Sequence, residues 1–207
     1  MEEISSILSQ WKPVPEKVRS AAPVVHCITN YVTSGICADI LLAAGASPIM
    51  TDELDEMEEI VSLSSALVLN LGTLSKRTIG SMRTAAKTAQ KRSIPILLDP
   101  VGAGASRLRT ETALSLIAEY KPQVVRGNFS EILALAGKSS EKSRGVDANP
   151  SCQADPHRIA DSADLIASLA SEWKTVIGVS GPIDIISDGK RSCAVGGGDE
   201  MMREETG

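Results

Sequence analysis

Between Val24 and Val179, short apolar runs rich in β-branched residues alternate with longer segments of helical period, and this alternation limits the fold more than any other feature. Six runs read as strands, at 24–28, 47–50, 66–70, 94–98, 123–126 and 175–179. Several are apolar on consecutive residues, the pattern of strands covered on both faces in a parallel sheet. Helices are expected at 33–44 (closed by Gly45), 52–63, 75–92, 110–120, 130–136 and 155–173. A late hairpin is expected from 184–187, the turn Asp188-Gly189 and 191–195. The polar stretch 138–156 reads as an inserted surface loop. The expectation is one α/β domain over residues 1–207: a central, mostly parallel sheet with right-handed crossovers and helices on both faces.

Composition narrows the function. Aromatics are 2% of the 207 residues, so the core must be Ala, Leu, Ile and Val, and stacking platforms for single-stranded nucleic acid are excluded. A net charge of -5 with interspersed signs offers no basic face for a nucleic-acid backbone. The acidic start Met1-Glu2-Glu3-Ile4 lacks the apolar run of a signal peptide, and no stretch approaches the ~20 apolar residues of a membrane span. Cys27, Cys37, Cys152 and Cys193 are scattered, which reads as reduced thiols in a cytoplasm and no structural metal site.

Ligands of open α/β sheets bind beyond the carboxyl ends of the strands. Here those positions are polar or small: Thr29-Asn30, Met50-Thr51-Asp52, Asn70-Leu71-Gly72-Thr73, Asp99-Pro100-Val101-Gly102, Arg126-Gly127-Asn128 and Ser180-Gly181. Two phosphate-loop look-alikes fail. Gly137-Lys138-Ser139 has Ile132 where a P-loop needs glycine, and Gly102-Ala103-Gly104 has Arg107 where a dinucleotide fingerprint needs its third glycine. Asp99 either caps a turn or receives Mg²⁺ or a substrate hydroxyl. Asn128 is a natural N-cap, and Glu131 either completes a capping box with it or holds water on Mg²⁺ beside Asp99. Arg126 is a surface charge or, beside Asn128, a phosphate clamp.

The segments 25–32, 45–50 (Gly-Ala-Ser-Pro-Ile-Met), 69–74, 99–105 (Asp-Pro-Val-Gly-Ala-Gly-Ala) and 126–132, in this order and spacing, resemble the hydroxyethylthiazole kinases, with the match running from about Val24 to Gly207. Gly145-Val146-Asp147 also resembles a signature of that family. The resemblance implies a ribokinase-like fold and transfer of the ATP γ-phosphoryl group to the primary alcohol of 4-methyl-5-(2-hydroxyethyl)thiazole, in thiamine synthesis or salvage. It implies that Met50 packs on the thiazole and that Asn30, Asn70 and Gly72 line the same pocket, with Gly207 a backbone contact to the alcohol. Arg126, Ser180 and Asn128 would contact ATP, and Asp99 and Glu131 would organise Mg²⁺. A homotrimer with active sites between subunits is implied as well. For Met50 the residues alone favour ordinary core packing.

The family's Thr-Gly-x-Gly-Cys motif, whose amides and cysteine sit at the substrate hydroxyl, would begin at Thr206-Gly207, so its cysteine would lie beyond Gly207. Gly196-Gly197-Gly198-Asp199 stands where the family commonly has Asn-Gly before a polar residue, and Glu204-Glu205 is a further departure. A parallel sheet is normally covered on both faces, so the expectation is that Gly207 is not the protein's true end. A chain that does end there is expected to be poorly soluble, through an exposed apolar patch. Two other readings stay open: a binding protein that holds thiazole or ATP without transfer, and a ribokinase-like kinase for another small alcohol.

Overall fold

The computed structural model describes residues 9–137 and 159–196. The elements run α1 Val14–Ala21, β1 Val24–Ile28, α2 Ser34–Ala44, β2 Ser47–Ile49, a 3-10 turn Leu54–Glu56, α3 Met57–Leu63, β3 Ala66–Asn70 and α4 Lys76–Arg92. They continue with β4 Ile96–Asp99, α5 Arg107–Tyr120, β5 Val124–Asn128, α6 Phe129–Leu135, α7 Ile159–Trp173, β6 Val176–Ser180, β7 Ile183–Ser187 and β8 Ser192–Gly196. One sheet has the order β2-β1-β3-β4-β5-β6-β7-β8. Every pairing from β2 to β6 is parallel, and the hairpin β7–β8 joins antiparallel.

Local chemistry fixes the helix ends. Ser75 caps α4 in a reciprocal capping box with Thr78, and Gly45 closes α2 in the left-handed region at φ 91°. On α4 the buried residues Thr78, Ser81, Met82, Ala85, Ala86, Thr88 and Ala89 recur at helical spacing. Their small side chains let the helix approach the sheet closely, which is how an aromatic-poor chain reaches core density.

The two pleat faces are unequal. Leu67 and Leu69 of β3, Ile96 and Leu98 of β4, Val125 of β5 and Ile177 of β6 are buried in the large core with Met57, Met82, Leu116 and Ile166 from the helices. On the other face a smaller cluster joins Val25, Cys27 and Ala46 with Leu41, Met50, Ala66 and Val68. Farther along that face Leu97, Val124 and Val176 are only half-buried and Arg126 is exposed. Helices thus lie on both faces, as expected, but among the described residues the second is covered mainly at its β2-β1-β3 end, where Leu41 of α2 packs on it. Helices α3 to α7 supply the large core on one face, and the alternating burial of β3 and β6 records that asymmetry.

Other departures are local. The acidic segment expected as one helix over 52–63 opens as a 3-10 turn, with Thr51 Oγ1 bonded to Glu56 in place of a helical start at Asp52. Helix α5 begins three residues earlier than expected, because Ser106 caps it by accepting from the Arg109 amide. Helix α1 was not foreseen; it is eight residues long and buries no side chain. Residues 138–158 and 197–207, and with them the expected loop 138–156, the start of the helix expected at 155–173, Cys152, the 145–147 signature and Gly207, lie outside the described residues. No helix among the described residues is long and apolar enough to cross a membrane.

Candidate active site at the carboxyl edge of the sheet

The parallel register sets polar side chains from successive strands side by side. Asn70 is the register partner of Asp99, and Asn128 of Ser180. Because pleat faces alternate, Asn70, Asp99, Arg126 and Ser180 share the face of Val68, Leu97, Val124 and Val176, opposite the large core. The expected residues therefore line one edge in strand order. Met50 follows β2 and Asn30 follows β1. Asn70 and Gly72 stand at β3, Asp99 at β4, Arg126 and Asn128 at β5, and Ser180 at β6.

A polar chain links Asn30, Asn70, Asp99 and Arg126. Asn30 Nδ2 donates to Asn70 Oδ1 at 3.2 Å, and Asn70 Nδ2 donates to Asp99 Oδ2 at 2.8 Å. Arg126 Nη1 stands 4.0 Å from the same Asp99 oxygen. Asn30 Oδ1 accepts from both the amide and hydroxyl of Thr33, each at 3.0 Å, so its orientation is fixed. Gly72 is forced by close approach: a Cβ there would lie 2.4 Å from Asn30 Cβ and 2.9 Å from Asn70 Oδ1. Burial pushes the Asp99 carboxyl upward, while Arg126 and the Asn70 bond pull it back.

Glu131 is held differently. Its Oε1 accepts the Gly102 amide at 2.8 Å and its Oε2 the Asn128 amide at 2.9 Å, while Asn128 Oδ1 accepts the Glu131 amide at 2.9 Å. The capping box read from the sequence is thus formed, and the carboxylate also ties α6 to the turn after β4. It is 6% exposed. Burial raises it to about 7, against the lowering effect of the two amides. Asn128 is occupied through Oδ1 by the same box, which leaves its Nδ2 for any nucleotide contact. Ser180 Oγ reaches the Gly127 carbonyl only at 3.5 Å.

The segment carrying Met50 is anchored from both sides. Inside, His26 Nε2 lies 2.9 Å from the Thr51 carbonyl, which requires the Nε2–H tautomer, and burial lowers the imidazole pKa and favours its neutral form. The His26 Nδ1 atom is buried with no partner among the described residues. Outside, Arg77 makes a two-pronged contact to Asp52, with both oxygens at 2.8 Å, and Tyr31 Oη donates to Asp52 at 2.8 Å. The Arg77 bonds hold the Asp52 carboxyl below the usual carboxylate range. Ser81 Oγ adds a 2.7 Å bond to the Asp52 carbonyl. Met50 itself is half-buried against the smaller cluster, partly exposed toward the edge.

Sequence reading assigned no role to His26, Asp52, Arg77 or Arg109. A histidine within an apolar strand run was an available signal for the first. Asp52 accepts from Arg77 and Tyr31, and Arg109 donates to carbonyls of distant turns; such long-range bonds leave no local pattern. Cys27 is buried with its thiol pushed to about 11 by desolvation, which disfavours a thiolate, and Cys193 stands exposed on the edge hairpin, away from the residues above.

The described residues suit Mg²⁺ as a site of few carboxylates. No described residue donates to Asp99 Oδ1, so one oxygen faces the edge uncommitted, whereas both Glu131 oxygens already accept amides. There is no cluster of three or more potential ligand side chains among the described residues, so water and phosphate oxygens would complete the shell.

The sequence pattern of the hydroxyethylthiazole kinase family matches residues 16–207. The hydroxyethylthiazole kinase of Oleidesulfovibrio alaskensis is 50% identical over 197 residues, covering 95% of this chain and 71% of that relative. The solved structure of a hydroxyethylthiazole kinase protein from Pyrococcus horikoshii superposes with a TM-score of 0.80 at 36% identity, over 92% of this chain and 68% of that one. A pyridoxal kinase from Staphylococcus aureus, at 15% identity and a TM-score of 0.55, shares the fold over 83% of this chain and 71% of that one. The fold is ribokinase-like, as the resemblance implied.

Proposed function

The chain belongs to the hydroxyethylthiazole kinase family, and from that premise we propose that it phosphorylates the primary alcohol of 4-methyl-5-(2-hydroxyethyl)thiazole with ATP. In that reaction the alcohol oxygen bonds to the γ-phosphorus, the bridging bond to the β-phosphate breaks, and the alcohol proton is released. Such transfer needs positioning and charge neutralisation more than covalent chemistry from the protein.

The observation that carries the reading is the strand-by-strand order of the edge. The β2-β1-β3 end presents Met50, Asn30, Asn70 and Gly72, an apolar contact beside fixed amides that suits a small heterocycle with a hydroxyl arm. The β5-β6 end presents Arg126, Asn128 and Ser180, donors for phosphate oxygens. Asp99 lies between, bonded to Asn70 on one side and beside Arg126 on the other. Asp99 would hold Mg²⁺ directly and Glu131 through water; when bound, the ion offsets charge on the phosphates. Gly207, assigned to the alcohol by the resemblance, lies outside the described residues.

The reading includes a homotrimer with sites between subunits. Its support is the apolar surface beside the edge, where Val32 just before α2 is 84% exposed and Ile36 and Ile40 on α2 are 51% and 63% exposed. It also places the enzyme in the cytoplasm, supported by Cys27, Cys37 and Cys193 standing as free thiols. The purified protein should phosphorylate the thiazole alcohol at least tenfold faster than pyridoxine or hydroxymethylpyrimidine and sediment as a trimer. Equal rates on the three alcohols would sink the substrate assignment, and a monomer would remove the shared sites.

A further inference from the structure

The alcohol side and the metal side of the edge hang on two irregular turns, after β3 and after β4. Arg109, in the first turn of α5, joins them. Its Nη1 donates to the carbonyls of Leu71 and of Val101, the latter at 2.9 Å, and its Nη2 donates to the carbonyl of Gly72. On the far side Glu131 accepts the Gly102 amide at 2.8 Å. The single peptide unit between Val101 and Gly102 is therefore gripped at its carbonyl by a cation and at its N–H by a carboxylate.

Arg109 has no carboxylate partner among the described residues, since its bonds end on three main-chain carbonyls of two different turns. A planar fork can serve separated acceptors at once, which a single ammonium point cannot. Gly102 accommodates this contact. It sits at φ 75°, and a Cβ there would approach Arg109 Cδ to 3.0 Å.

We infer that Arg109 is a positioning residue for phosphoryl transfer, fixing the turn that lines the acceptor alcohol against the turn that carries Asp99. The inference rests on the kinase reading above. Each turn binds its own ligand, so loosening the clamp leaves both affinities and spoils their mutual alignment. A misplacement of about 1 Å costs on the order of 100-fold in rate.

The test compares Arg109→Lys with Arg107→Lys, the control being an exposed residue two positions away whose side chain is 89% exposed. Arg109→Lys should lower kcat about 30- to 100-fold with both KM values within about threefold. The amides of Gly72, Gly102 and Ala103 should exchange hydrogen at least tenfold faster, while those of β1 stay as they were. The control should match the wild type. Unchanged kcat and exchange would overturn the inference, and so would a kcat loss accompanied by a comparable rise in both KM values. If the wild type fails to phosphorylate the thiazole alcohol, the kinase reading falls and the exchange measurement alone decides the clamp: faster exchange at the two turns upholds it, unchanged exchange removes it. Should Arg109→Lys not fold, Arg109→Gln, which keeps two donors, is read by the same criteria.

Discussion

Asp99 and Glu131 stand at the carboxyl ends of neighbouring strands, both largely withdrawn from solvent, yet they are secured in opposite ways. Among the described residues Asp99 meets side chains only: the Asn70 amide on one oxygen and the Arg126 guanidinium at 4.0 Å from that same oxygen. The hydrogen bonds of the Glu131 carboxylate to described residues are all with backbone, one amide on each oxygen. Side-chain partners can turn toward a ligand, whereas backbone amides in a turn and a helix cap cannot. The difference teaches that one edge separates a carboxylate with an oxygen open to a ligand from a carboxylate that builds the frame and would reach a metal only through water.

The sharpest way to break this contrast is Asp99→Asn. The substitution keeps shape and bonding to Asn70 while removing the charge, so its effect should fall on turnover. A loss of 100-fold or more in kcat/KM is expected, about 3 kcal/mol of transition-state stabilisation, with a melting temperature within a few degrees of the wild type. Steady-state kinetics retaining more than a tenth of the activity would mean that Asp99 is no more than a turn residue.

Glu131→Ala should act mainly on stability. It leaves the buried Gly102 and Asn128 amides without acceptors and dissolves the capping box, which costs about 2 kcal/mol. The sign of its pH dependence is also fixed. A buried acid raised to about 7 holds its proton more tightly folded than unfolded. Its contribution is fully present below the unfolded value near 4.5 and is lost as pH rises through about 7. The stability gap between wild type and Glu131→Ala should therefore widen from pH 8 to pH 5.5. His26, with its lowered pKa, works in the opposite sense over part of that window. It is common to both proteins and cancels in the difference. Denaturant titrations at the two pH values that show a constant or narrowing gap would remove Glu131 from this role.

The same contrast explains what could be read from the sequence. β1 and β3 were bounded residue for residue, because each is a short, mostly apolar run that gives way to polar residues at its carboxyl end. Asn30, Asn70, Asp99, Arg126 and Glu131 could be singled out as candidates because strand ends are where sheets place ligands, and the structure links the first four in one polar chain with Glu131 beside it. The Glu131 capping box was visible too, being a local pattern three residues long. The bond from Glu131 to Gly102 was not visible, nor was the Arg109 clamp. Both depend on how far one turn stands from the next helix, a distance that no spacing in the chain encodes. The unequal faces of the sheet escaped for a related reason: apolar runs such as Ile96–Leu98 look alike whether a strand is covered on one face or two.

Arg126 gives the smallest effect on folding and the finest test of the contrast. Its side chain is 56% exposed and its only ion pair among the described residues is the 4.0 Å contact to Asp99. At that distance and exposure an ion pair contributes little, so Arg126→Ala should change unfolding free energy by less than about 0.5 kcal/mol. If the arginine nevertheless serves ATP phosphates, the KM for ATP should rise about tenfold, in line with the loss of a charge-assisted contact worth ~1.4 kcal/mol, while the KM for the alcohol stays put. A stability loss comparable to that of Glu131→Ala would place Arg126 in the frame with Glu131. An unchanged KM for ATP would leave it a surface charge, and the phosphate end of the edge would then rest on Asn128 Nδ2 and Ser180 alone.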